Sequence, residues 1–220
     1  MDSVEIADDF GRAPQQGRSR RTMERIIEAA EELFGEHGYD GASVAEIVRR
    51  AQSSVGAFYS RFKDKEGLFL HLHARQCHLV ITEIDRLAEL DQWRDSSLDA
   101  ILAEVIAAQL AFIRGRRQIT RVFILRCAVD RAFRDRYTAA WAQARDKLRG
   151  VLLSRRDEIG HPEPDRAVDF VLEVLHGLWA NDALHHDSPE VTGHMDDGER
   201  QHEMVRLCAA YLAIVPRRTN

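Results

Sequence analysis

SVAEIVRRAQSSVGAFYSRF, residues 43–62, reads as two short helices joined by a tight turn. The first opens on a capping box: Ser43 can accept from the backbone three residues on, and Glu46 can reach back to Ser43. Val44, Ile47, Val48 and Ala51 share one face at helical spacing, while Arg49 and Arg50 sit on another. Gln52 and Ser53 fall in the turn. Ser54 is a good N-cap for the second helix, whose Val55, Phe58 and Phe62 recur at i, i+3 and i+7. Gly56, Ala57, Ser60 and Arg61 are left pointing outward, and all but Arg61 are small. A helix with a small outer face and hydroxyls at its start can enter a groove closely, which is the geometry of a DNA-binding helix-turn-helix. A plain αα-hairpin in a helical core carries the same stripes. The flanks decide between them.

Upstream lies TMERIIEAAEELFGEHGYDGAS, residues 22–43, and downstream KDKEGLF, residues 63–69. The matching features are Ala29, Leu33 and Phe34 in the first helix, His37-Gly38-Tyr39 after it, and Ser43-Val44 before the second. They continue with Gly56, Phe58-Tyr59 and Phe62 in the third helix, and Lys65-Glu66 opening the fourth. With these in order and spacing, residues 18–69 resemble the N-terminal domain of the TetR family of transcriptional regulators. The resemblance implies that Tyr59, Lys65 and Ser43 contact phosphates. Gly56 would let backbone approach the DNA, and Ala57 could meet a thymine methyl. The candidate DNA-binding set is Ser43, Ser53, Ser54, Val55, Gly56, Ala57, Tyr59, Ser60, Arg61 and Lys65. Three positions depart from the family pattern. Gln52 stands where a turn glycine is usual, Ser53 where an apolar residue is usual, and Val55 where a lysine is common.

The 220 residues carry a formal charge of −5 and are 45% hydrophobic, with five prolines and thirteen glycines. That suits a chain with a real core and argues against a non-specific nucleic-acid coat protein. Positive charge is instead local: Arg12, Arg18, Arg20, Arg21 and Arg25 precede or open helix one, and Arg49, Arg50, Arg61, Lys63 and Lys65 surround the hairpin. Phosphate contacts need such cations. No stretch of eighteen apolar residues and no signal-peptide pattern occur, so a cytoplasmic location with no membrane partner is expected. Cys77, Cys127 and Cys208 read as reduced core cysteines.

Taken in order, residues 1–17 read as a flexible arm, residues 18–66 as the DNA-binding domain and residues 67–216 as a larger helical domain. Thr22 is expected to cap helix one and Gly38 to end it. Asp64 caps a long helix to about residue 90, and a helix over residues 98–114 is broken by Gly115. An apolar stretch over 119–129 and a long amphipathic helix from 131 to near Gly160 follow. AVDFVLEVLHGLWA (167–180) and MVRLCAAYLAIV (204–215) are apolar nearly all round, so each must bury two faces, one against the core and one against a second copy. The TetR resemblance implies the same homodimer through the two C-terminal helices. The segment between them, 185–199, reads as a polar loop.

The resemblance also implies an effector pocket in the helical body. Polar residues inside apolar helices are its candidates: Gln109, Arg126 and His176, with Trp141 and Trp179 as walls for an apolar or aromatic ligand bearing a few polar handles. The histidines (His71, His73, His78, His185, His186, His194 and His202) lack any zinc-type spacing, so no metal and no cofactor are expected. No GxSxG, P-loop, dinucleotide fingerprint or HExxH occurs, and an enzyme is not expected. The reading is all-α: a three-helix helix-turn-helix head followed by a ligand-binding and dimerisation domain. Its function would be a ligand-responsive repressor that binds a palindromic double-stranded operator as a homodimer.

Overall fold

The computed structural model describes residues 13–193 and 195–215. Its regular elements there are helices: α1 (Ala13–Gly41), α2 (Val44–Arg50), α3 (Val55–Tyr59), α4 (Lys65–Ala88), α5 (Leu98–Arg114), α6 (Arg117–Val129), α7 (Arg131–Leu153), α8 (Pro164–His185), α9 (Pro189–Thr192) and α10 (Asp197–Leu212). Single 3₁₀ turns occupy Leu90–Trp93 and Arg156–Glu158, and one isolated antiparallel bridge joins Ile159 to Ile214. The fold is all-α. The chain divides into two compact units inside α4, the first ending at His73 and the second beginning at Ala74.

The first unit is built on the apolar stripe of α1. Ile26, Ile27, Ala30, Leu33 and Phe34 are buried, as are Ile47 and Val48 of α2, Phe58 of α3, and Leu68 and Phe69 of α4. Burying each large side chain contributes roughly 1.5–3 kcal/mol, so short helices that could not stand alone are held by packing. Gly38 breaks the helical path at φ 73°, where a side chain would be strained.

The start of α1 differs from the sequence reading. The helix begins at Ala13, so Thr22 lies within it and does not cap it, and residues 13–17 are helical. Ala13, Gln15 and Gln16 are good helix formers, and Pro14 falls in the first turn, where its missing N–H costs nothing. The rest of the expected arm, with Arg12, lies outside the described residues.

In the second unit, α5, α8 and α10 supply most of the core. Ile101, Leu102, Val105 and Ile106 pack with Val168, Leu172, Leu175, Met204, Cys208 and Leu212 in one cluster, which Ile84, Leu87, Leu148 and Leu152 complete. Here too the sequence needs correcting. α7 ends at Leu153 rather than near Gly160, because polar groups beyond it have tertiary work. The buried Glu158 carboxylate accepts from the Leu98 N–H at 2.7 Å and so caps α5 from a distance. Arg155 donates to the carbonyls of Trp93, Arg94 and Ser96. Gly160 then passes so close to α10 that an added Cβ would sit 2.5 Å from the Ala213 carbonyl oxygen. The expected loop over 185–199 holds the short helix α9, and α10 starts at a second capping box, Asp196 with Glu199.

Candidate nucleic-acid interface

The hairpin forms as its sequence dictates. Ser43 Oγ accepts from Glu46 N, and Glu46 accepts in return from Ser43 N at 3.0 Å. Ser54 Oγ accepts from Ala57 N at 3.1 Å at the head of α3. Gln52 holds the turn at φ 47°, which explains physically why a glycine suits this position and shows that a non-glycine carries strain there. Ser54, Val55, Gly56, Tyr59 and Ser60 are exposed together, while Phe58 and Phe62 are buried. Val55 therefore departs from the expected buried stripe. At 50% exposure it belongs with Tyr59, 54% exposed, on the outward face of α3. A five-residue helix completes little more than one turn, so its first residue swings clear of the core.

Ser53 goes the other way. Its hydroxyl is buried and has no hydrogen-bond partner among the described residues, so it does not share the outward face. An unpaired buried hydroxyl is costly. Ser53→Ala is expected to stabilise the protein by about 1 kcal/mol, read as a higher thermal midpoint.

The cations are less free than their positions suggest. Arg50 donates to Glu36 at 2.7 Å and reaches Glu32 at 3.5 Å, which ties α2 to α1. That hydrogen bond from Arg50 holds the Glu36 carboxyl below its usual range. Lys65 donates to the carbonyls of Tyr39 and Ala42 at 2.8 and 2.9 Å, with its ammonium 4.4 Å from the Tyr39 ring centre. An ammonium has three donors, so two of the three N–H groups of Lys65 are engaged by these carbonyls. Tyr39 in turn donates to Glu66 at 2.6 Å and packs its ring against Phe34 and Phe69. The His37-Gly38-Tyr39 and Lys65-Glu66 motifs thus meet in space, bracing the connection between α1 and α2 against the start of α4. Arg61 Nη1 donates to the Ala57 carbonyl at 2.6 Å, and its Nη2 reaches Ser19 on α1. Arg20, Arg21, Arg25, Arg49 and Lys63 are exposed.

This geometry can be set against known proteins. Residues 26–72 match the family model described as bacterial regulatory proteins, tetR family. An HTH-type transcriptional repressor, AcnR, from Corynebacterium efficiens is 45% identical over 155 residues, 70% of this chain and 74% of that protein. The chain belongs to the TetR family. The AcnR repressor of Corynebacterium diphtheriae is 30% identical over the same length, covering 70% of this chain and 72% of its own. A solved transcriptional regulator from a Rhodococcus species shares the fold with a TM-score of 0.66 at 24% identity, over 88% of this chain and 98% of that one. As a TetR-family member the chain is a DNA-binding transcriptional regulator.

In the body of this TetR protein, the expected pocket residues separate into two groups. Trp141 stacks on His176 with ring centres 4.2 Å apart and meets Trp179 edge-on at 6.2 Å. Burial lowers the His176 pKa, which favours the neutral imidazole. Trp179 is buried, and its indole N–H has no hydrogen-bond partner among the described residues. Tyr137, which the sequence reading missed, lies 6.4 Å from His176, and burial pushes its pKa up to about 12. Its signal was present: it stands four residues before Trp141, on the same face of α7. Gln109 is buried on α5, and Arg126 pairs with Asp130 at 2.9 Å. The three cysteines are free, and no cluster of three metal-ligating side chains occurs among the described residues. No helix among them is long and apolar enough to cross a membrane.

Proposed function

We propose that this regulator is a cytoplasmic, ligand-responsive repressor that binds a palindromic operator as a homodimer. The observation that carries the DNA reading is the outward face of α3, where Ser54, Val55, Gly56, Tyr59 and Ser60 lie exposed at the end of a capped hairpin. Small residues admit the helix to a major groove, and Tyr59 supplies a hydroxyl for a phosphate. The homodimer reading rests on Phe170 and Leu178 of α8 and Leu207 and Tyr211 of α10, large apolar side chains left exposed on the last two long helices. With two heads, the half-sites would lie about one helical turn apart or somewhat more.

In this reading the effector would bind at Tyr137, Trp141, His176 and Trp179, with Gln109 of α5 as a candidate polar handle. Half-buried rings beside the buried Trp179, with its unpaired indole donor, suit an apolar or aromatic molecule that carries a hydrogen-bond acceptor. Such a molecule releases the operator only if it binds more tightly to the state that cannot bind DNA. No cofactor, metal or catalytic residue enters this reading.

Tyr59→Phe tests the DNA reading at a position that touches no core contact through its hydroxyl. Operator affinity is expected to fall about tenfold per head, the worth of one hydrogen bond to a charged group, with the oligomeric state unchanged. Unchanged affinity would show that the Tyr59 hydroxyl makes no phosphate contact, and absence of any operator binding by the wild-type protein would favour one that uses its helices for association without reading DNA.

A further inference from the structure

We propose that Arg61 is a positioning residue that clasps the N-terminal extension of α1 to the recognition helix, and that the extension presents Arg20 and Arg21 to the DNA backbone. The proposal rests on the regulator reading above and refines which cations serve it. The Arg61 guanidinium spans two elements at once. Nη1 donates to the Ala57 carbonyl at 2.6 Å and to Ser60 Oγ at 2.9 Å, both within or beside α3. Nη2 donates to the Ser19 carbonyl at 3.2 Å and to Ser19 Oγ at 2.8 Å, forty-two residues away on α1. Ser60 Oγ itself donates to the Ala57 carbonyl at 2.9 Å, which closes the arrangement.

Four donor contacts from one fork leave Arg61 poorly placed to be spent on a phosphate. They leave its neighbours well placed. Ser19 sits in continuous helix, since α1 starts at Ala13, and the next two residues, Arg20 and Arg21, are both exposed. A helical backbone anchored at Ser19 also sets the backbone of the two residues after it, so that only the side chains of these cations remain to be ordered at the moment of binding. A lysine at position 61 could carry the charge but not the planar fork that bridges both elements.

The test is operator affinity across a salt series, by fluorescence anisotropy on a fragment selected from the source genome. Each phosphate contact contributes about 0.9 to the slope of log K against log salt. Replacing Arg20 and Arg21 together with alanine should flatten the slope by about 2 per head. Arg61→Ala and Arg61→Lys should both flatten it in the same direction, and either should add little to the Arg20→Ala/Arg21→Ala pair. Far-UV circular dichroism confirms that each variant is folded; Arg61→Lys, which keeps the charge and most of the volume, serves if Arg61→Ala does not fold. Direct phosphate contact by Arg61 predicts otherwise: Arg61→Lys would keep the wild-type slope, and Arg61→Ala would add in full to the pair. Either result overturns the clasp, as does an unchanged slope in the Arg20→Ala/Arg21→Ala protein. Wild-type protein that selects no fragment brings down the regulator reading, and the clasp with it.

Discussion

Arg117→Ala is expected to lower the thermal midpoint by about 10 °C at fixed protein concentration. Arg117 opens α6, and its Nε donates to Asp182 of α8 at 2.8 Å while Nη2 reaches Asp197 of α10 at 3.3 Å. The Asp182 side chain is only 5% exposed. Burial opposes the Arg117 charge, but the two carboxylates outweigh that and hold its pKa above the usual guanidinium value. Deleting the arginine strands a buried carboxylate, which costs about 3–5 kcal/mol. Arg114 pairs with the same Asp197 at 2.7 Å but is half exposed, and its alanine variant should lose no more than about 1 kcal/mol. Replacing Arg117 and Asp182 together by apolar residues should recover much of the loss. Circular dichroism melts of the three variants check the ranking, and equal losses for Arg114→Ala and Arg117→Ala would refute it.

If the proposed homodimer forms through α8 and α10, Leu207→Glu is expected to turn it into a monomer at micromolar concentration. Leu207 is 53% exposed on α10, and on the same two helices Phe170 and Tyr211 bring their ring centres within 5.1 Å of each other. In a two-fold interface each substitution is met twice, so two carboxylates would be desolvated without partners. The cost should exceed about 3 kcal/mol, a weakening of more than ~100-fold. Operator affinity should collapse with it, since each head alone binds only one half-site. Val191→Glu, at an exposed apolar residue of α9, is the control and should leave the dimer intact. Light scattering after size exclusion reads both. A Leu207→Glu protein that stays dimeric would show that the copies meet through another face.

The head was legible because its signals are local. Ser43, Glu46 and Ser54 cap their helices through contacts three residues away, and such pairs can be read directly from spacing. Gln52 stood out as an odd turn residue, and its positive φ is the reason. What the sequence could not show were contacts across long separations. Ser19 with Arg61, Arg117 with Asp182, and Glu158 with the α5 N-terminus join residues far apart in the chain. Val55 fits both the apolar spacing with Phe58 and Phe62 and the outward set, and its exposure places it with the latter, because a helix of five residues has too few turns for a stripe to fix its face. The buried Ser53 hydroxyl, in the turn before it, has no signal in the spacing. In the body, Trp141, His176 and Trp179 were chosen separately and prove to be neighbours, while Tyr137 was passed over although it shares a face with Trp141.

The most direct measurement of the central claim is a footprint of the purified protein on a fragment it selects from the source genome. The account predicts a short protected stretch with two-fold symmetry, its half-sites about one helical turn apart or somewhat more, and loss of protection on both when Tyr59 is replaced by phenylalanine at limiting protein. Binding that is weak, independent of sequence and abolished by modest salt would contradict it, because charge attraction alone behaves that way.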